Sequence, residues 1–240
     1  MFFIKKINKI IKLIKNKTWR KGIIQNIAAN IELESLIKNL KFKTVFDIGS
    51  NKGQFILLIE GLFKGCKIYS LEPINELILK QKIFFKTNKN ITFLNYGIGS
   101  HNTYKTLFIT NRKDSSSFLK VKLSKKNKDY KIIEKRTIKI KTLDNLFINT
   151  KVEKPALVKI DVQGYELEVL KGGKEFLNKI SFIIVEVSNN QLYLNQPLEL
   201  EIEKFLTNLN FIKVNENKTT LISGYNVSQK DILFKKITNE

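Results

Sequence analysis

The sequence is short of the residues that carry most covalent and metal chemistry. It has one Cys, Cys66, and one His, His101, in 240 residues. One thiol cannot close an internal disulfide, so no disulfide framework exists, and the chain fits a reducing compartment. One His and one Cys also exclude a His/Cys metal cluster, so no metal ligands are expected. Cys66 heads the stretch "CKIYSLE" and reads as a small hydrophobe rather than a nucleophile. His101 sits in "GSHNTY" and reads as a solvated loop side chain. Arginine is scarce too: the 43 cationic residues include only Arg20, Arg112 and Arg136. Base-edge readout and bidentate phosphate recognition favour Arg, which weakens a nucleic-acid reading. An aromatic-interleaved basic strand of the RNP1 kind is also missing. No apolar run approaches the ~20 residues of a bilayer span. Lysines break the apolar runs at the N-terminus, so no secretory signal is read.

What is abundant is lysine, and it is localised. The net charge is +21. Residues 1–31 hold eight Lys/Arg and no acid, and residues 111–141 hold twelve against Asp114, Asp129 and Glu134. The rest of the chain is nearly balanced. In "MFFIKKINKIIKLIKNK", helical spacing puts Phe3, Ile7, Ile10, Ile11 and Ile14 on one face, with Lys5, Lys9, Lys12 and Asn16 pointing away. Such a helix either lies on a membrane surface through residues 1–17 or packs on its own domain; both stay open. The location read from this is cytoplasmic, with peripheral attachment at the inner face of the cell membrane as a variant. The expected division is a basic helical extension over 1–39 and one domain over 40–240, with a basic insertion at about 111–135.

Apolar runs of strand length alternate with helical patterns: "TVFDIG", "KIYSLEP", "ITFLNYGIG", "ALVKIDV" and "SFIIVEVS". Runs buried on both faces and joined by helices predict an α/β fold, a doubly wound, mostly parallel sheet with helices on both faces. An irregular basic stretch precedes "RTIKIKTLDNLF", and "FIKVN" and "DILFKK" close the chain as strands. Ligands in such sheets sit at the carboxyl ends of the strands. The polar residues gather there: Asp47 to Gly53, Glu72, Asn95 to Gly99, Asp161 and Glu186.

The first turn, "DIGSNKG", has Gly49 and Gly53 but places Asn51 where a dinucleotide fingerprint needs glycine. It also lacks the Lys-Ser/Thr ending of a phosphate-cradling loop, so a triphosphate is excluded. Glu72, 23 residues after Gly49, can accept bonds from both hydroxyls of a ribose. With Asp47 beside the turn, the pattern suits a cationic ribonucleoside without phosphate, namely S-adenosylmethionine.

"VFDIGSNKGQF", "LEP", "TLDNL", "LVKIDVQGYELEVLKGG", "IIVEVS" and "DILFKK" occur in that order over about residues 40–236. In this the chain resembles the FkbM-type methyltransferases, S-adenosylmethionine-dependent enzymes with a seven-stranded Rossmann-like sheet. The resemblance implies O-methylation, often of sugars in glycolipids, surface polysaccharides or secondary metabolites. It implies that Asp47, Gly49, Ser50, Asn51 and Gly53 line the methionine end of the cofactor. Glu72 and Pro73 then serve the ribose, and Asn95, Tyr96 and Gly97 lie near the adenine. The family often has an acid where this chain has Gln163.

Methyl transfer to oxygen needs a positioned acceptor and a group that takes its proton. Asp161, at the end of "LVKID", is the first candidate base, with Lys159 on the same side of the strand. Glu186 is a second base or a hydroxyl acceptor. Glu166 either holds substrate or caps a helix. "DSSSF" at 114–118 either binds a polyol or is a solvated turn. The basic insertion suits a small-molecule or glycan acceptor that is anionic or lipid-linked. RNA methylation and a catalytically silent membrane-associated scaffold are the alternative readings. The sequence leaves the oligomeric state unknown.

Overall fold

The computed structural model describes residues 2–122, 130–222 and 226–237. Residues 123–129 of the basic insertion lie outside the described residues, as do the side chains of 1–6 and 8, among them Phe3 and Lys5. Helices α1 (Phe2–Lys15), α2 (Lys17–Ile24) and the short α3 (Glu34–Ile37) come first. The sheet then begins: β1 (Thr44–Ile48), α4 (Gln54–Leu62), β2 (Lys67–Leu71), α5 (Asn75–Phe84) and β3 (Ile91–Leu94). Strands β4 (Gly97–Ile98), β5 (Thr103–Thr110) and β6 (Ile132–Lys141) follow, then α6 (Leu143–Phe147). Next come β7 (Ala156–Ile160), α7 (Glu166–Lys171), α8 (Lys174–Leu177) and β8 (Phe182–Ser188). The chain closes with α9 (Glu199–Thr207), β9 (Phe211–Glu216), β10 (Thr220–Ile222) and β11 (Val227–Lys236).

The main sheet runs β10-β11-β8-β7-β1-β2-β3, with β9 also paired to β11. Its middle is parallel, from β8 through β7, β1 and β2 to β3, and β11 joins β8 antiparallel. The α/β doubly wound reading therefore holds. The main sheet has eight strands rather than seven among the described residues. The extra one, β10, has three largely exposed residues, too few to show a pattern.

Every residue of β1 and β7 is buried, which is why both read as continuous apolar runs. Alternate residues face two separate cores. Val45, Leu157, Ile184 and Leu233 join α4 and the N-terminal helices; Phe46, Val158, Val185 and Phe234 join α6 to α9. Phe46 anchors the second core, stacked on Tyr69 at 4.8 Å and edge-on to Phe147 and Phe176. Such aromatic pairs add to the area they bury.

A smaller sheet, β4-β6-β5, was not foreseen. "ITFLNYGIG" is two strands, because the chain leaves the main sheet at Asn95. The Asn95 Nδ2 donates to the carbonyls of Glu72 (2.8 Å) and Pro73 (3.1 Å), turning Gly97–Ile98 toward β6. Only the far end of β5 is buried, so its alternation is muted in the sequence.

Candidate active site

Strand order reverses between β1 and β7, and a crevice of about 540 Å³ opens at their carboxyl ends. One wall comes from the turn between β1 and α4. Gly49, Asn51 and Gly53 all take positive φ. Asn tolerates that conformation better than most residues, which explains how it stands where a glycine was sought. Gly49 has no substitute: a Cβ there would lie 1.9 Å from the Asp161 carbonyl oxygen. The turns after β1 and β7 touch at this point, where Asp161 N also donates to Ile48 O (3.1 Å).

Glu72, at the end of β2, accepts from Asn51 N at Oε2 and from Ile74 N at Oε1, both at 2.9 Å. Each oxygen keeps a lone pair for a further donor. Burial pushes Glu72 up to about 7, while the N–H groups of Ile74 and Asn51 pull it down. Beneath the turn lies Gln81 of α5, fully buried. Its Nε2 donates to Ser50 Oγ (2.9 Å) and Asn51 O (2.7 Å), and its Oε1 accepts from Ser70 Oγ (2.6 Å). Neither Gln81 nor Ser70 was foreseen; a glutamine inside an amphipathic helix gives no sign of where its amide bonds.

Asp47 is fully buried in β1, and neither of its oxygens has a hydrogen-bond partner. Burial raises it to about 6 against the pull of Lys159, whose Nζ is 3.9 Å away, and Asp161 raises it further. Asn51 Oδ1 is a second buried acceptor without a partner.

The other wall gathers side chains from distant parts of the chain. Asp161 Oδ2 accepts from Lys159 Nζ (2.9 Å), and its Oδ1 accepts from Gln163 Nε2 (2.8 Å). Burial opposes the charge on Lys159, but Asp161 and Asp47 outweigh it and hold the ammonium charged. Gln163 Nε2 also reaches Glu186 Oε2 (3.3 Å), which accepts from Gln229 Nε2 of β11 (2.9 Å). Burial and the nearby Asp161 and Asp231 push Glu186 well above the usual carboxylate range. Tyr193 Oη lies 2.9 Å from Gln163 Oε1 and 3.1 Å from Ser115 O, and Ser117 Oγ donates to Gln163 O (2.6 Å). The "DSSSF" segment is thereby fastened to this wall, and Arg112, Asp114, Ser115 and Ser116 line the crevice.

Of the residues expected at the site, Gly49, Ser50, Asn51, Glu72, Pro73, Tyr96, Gly97, Lys159 and Asp161 line the crevice. Asp47, Gly53, Asn95, Glu166 and Glu186 lie around it. Gly53 packs against Phe85, where a Cβ would come within 2.6 Å of the ring. Glu166 Oε1 accepts from Val162 N (3.1 Å) and Gly164 N (3.0 Å), which ties it to the turn after β7. Gln54, next to Gly53 in the first motif, also lines the crevice. Tyr130, Gln229 and Thr220–Ile222 line it without a signal in the sequence. They arrive from elements whose place is set only by the tertiary fold. His101 is exposed beside Ser100, and Cys66 is buried with its thiol donating to Phe42 O.

A doubly wound sheet with a glycine turn after its first strand and an acid after its second is a Rossmann-like fold of the kind that holds a ribonucleoside at the carboxyl ends of its strands. The Methyltransferase FkbM domain matches residues 47–213, well over half of the chain, and the protein belongs to that family. Its cofactor is S-adenosylmethionine. A curated relative, the hexuronic acid methyltransferase AglP of Haloferax volcanii, is 43% identical over 63 residues. That match spans 25% of this chain and only 26% of the relative. Among solved structures, TrmK of M. capricolum in complex with S-adenosyl-homocysteine superposes with a TM-score of 0.50 at 11% identity. It covers 88% of this chain and 69% of that one, a likeness of fold. The crevice fits the cofactor on its own terms. Glu72 has open acceptor positions, Asp47 and Asn51 hold buried oxygens without partners, and carboxylates dominate the surroundings. A sulfonium and an ammonium group are favoured in such a field.

Proposed function

We propose that the protein transfers the methyl group of S-adenosylmethionine to a hydroxyl oxygen of a sugar in a glycan, glycolipid or surface polysaccharide. Residues 40–240 form the catalytic domain in this reading and residues 1–39 an extension. The observation that carries it is Asp161: a carboxylate in the crevice wall, a quarter exposed, beside the Gly49 turn. The family membership and the relative's name, a hexuronic acid methyltransferase, support the sugar acceptor.

The bound cofactor supplies a methyl group already activated by its sulfonium. The chain supplies position and proton removal. Glu72 would accept from the ribose hydroxyls, and the turn 49–53 would hold the methionine end. Asp161 takes the acceptor's hydroxyl proton as the new C–O bond forms. Lys159 and Gln163 each hold one of its oxygens, so the carboxylate is aimed before substrate arrives. Glu186 is the second candidate base, held in place by Gln163 and Gln229. Arg112, Asp114, Ser115, Ser116 and Gln229 line the crevice beside it and would meet the sugar.

The test supplies labelled methyl donor to the full chain with a lipid-linked glycan extract or with total RNA. Label should enter the glycan fraction and resist mild base, as an ether does and an ester does not. Label in RNA, base-labile label, or cofactor binding without transfer to any fraction would each overturn the proposal.

A further inference from the structure

Helix α1 meets the body of the protein with its charged side. Lys9 pairs with Glu32, and Lys12 Nζ lies 2.7 Å from Glu34 Oε2. Leu13, on the same side, is 4% exposed. Ile7, Ile10, Ile11 and Ile14 fall on the opposite side at helical spacing and are 40–47% exposed. Helix α2 adds Ile23 and Ile24, at 38% and 79%. The amphipathic helix therefore packs on its own domain and still turns its isoleucine stripe outward. A contiguous exposed apolar stripe marks a contact surface. Among the described residues no helix is long and apolar enough to cross a membrane.

We propose that α1 lies on an anionic lipid surface, with the isoleucine stripe in the headgroup boundary and the exposed Lys15, Lys17, Arg20 and Lys21 at the headgroups. The charge selects the occupant: Lys9 and Lys12 pair with Glu32 and Glu34, but Lys15, Lys17, Arg20 and Lys21 are exposed, and residues 1–31 hold no acid. A second copy of this face would bring these cations against their like, whereas anionic lipid neutralises them. The ion pairs to Glu32 and Glu34 hold the helix with its stripe outward, so little ordering is needed on binding. Asn30, two residues before Glu32, lines the crevice, and its N–H donates to Gln54 O. The helix is thus fastened to a segment that reaches the crevice. Delivery of a lipid-linked acceptor would follow, but that consequence alone rests on the methyl-transfer reading.

The test is flotation of the full chain with vesicles of phosphatidylcholine, alone or mixed with phosphatidylglycerol. Binding should need the anionic lipid and weaken as salt is raised. The double change Ile10→Gln with Ile14→Gln removes apolar area without adding charge. It should weaken vesicle binding by about tenfold or more, while cofactor affinity and melting temperature stay as in the native chain. No binding to the mixed vesicles, or equal binding by native and variant chains, would overturn the proposal. So would a native dimer in sedimentation velocity that the double change dissolves without affecting vesicle binding.

Discussion

The two walls of the crevice are built by different means. The wall proposed to hold the cofactor comes from one short stretch, Gly49 to Gly53, closed by Glu72 at the end of the neighbouring strand. Its contacts are mostly backbone N–H groups and carbonyls. The wall proposed to meet the acceptor joins Asp161 and Gln163 to Glu186, Gln229, Tyr193 and Ser115. These residues come from separate elements and meet through side chains. A backbone-built wall depends on conformations few residues can adopt, so one substitution breaks it. A side-chain network depends on charge and hydrogen-bond balance, so substitution retunes it.

The sharpest break should come at Gly49. Gly49→Ala places a Cβ 1.9 Å from a backbone oxygen at φ +81, where no flexible side chain can yield. It should cost about 3 kcal/mol of stability and abolish cofactor binding. Gly65→Ala is the control. Its φ is +78 but the space around it is open, so the cost should be near 1 kcal/mol. Thermal melting with and without cofactor reads both. Equal effects would mean that positive φ, not the close approach to Asp161, makes Gly49 necessary.

On the other wall, Asp161→Asn should leave cofactor affinity nearly intact and lower kcat by about a hundred- to ten-thousandfold. Calorimetry and turnover separate the two quantities. If Glu186→Gln shows that pattern and D161N does not, the base is Glu186.

Gln163→Glu should act by retuning. The Gln163 amide donates to Asp161 and Glu186 together. A carboxylate there would face both acids and lose both bonds. Removing a donor and adding a like charge disfavours ionisation of the cluster. The acid limb of the pH–rate profile should move up by about one unit, with little change in melting temperature. An unmoved limb would show that Gln163 only fills space.

The same contrast explains what could be read before the structure. The β1–α4–β2 unit was legible because it is local: five buried residues, a glycine turn, a helix, and an acid at a fixed spacing. Asp161 and Glu186 were legible as acids ending apolar strands. Gln229 and Tyr130 were not, because their strand and loop neighbours are assigned only by long-range pairing. Strand β10 carries no alternation in three residues, and β5 is mostly exposed. The Ile stripe of α1 was visible in the sequence, but its direction was not. Helical periodicity says which residues share a face, and the contacts of Leu13, Lys9 and Lys12 with the body decide which face docks.

The smallest effect concerns protons on the buried carboxyls beside the Gly49 turn. Burial raises Asp47 to about 6 and Glu72 to about 7, both beside the turn proposed to hold the cofactor. An acid with a raised folded-state pKa binds protons more tightly when folded. Its contribution to stability is full below the unfolded value near 4 and is lost as pH rises through 6 and 7. The cofactor-free protein should therefore lose part of its stability between about pH 4 and pH 7 from these two groups. A cationic cofactor favours their charged forms, so binding releases protons and strengthens as pH rises through the same window. The gain is at most about tenfold per pH unit for each proton released. Calorimetry in buffers of different ionisation enthalpy counts those protons. Glu72→Gln should remove the component near pH 7 and leave the one near pH 6. An affinity that stays flat across the window would mean that the cofactor's charge is balanced by other groups than Asp47 and Glu72.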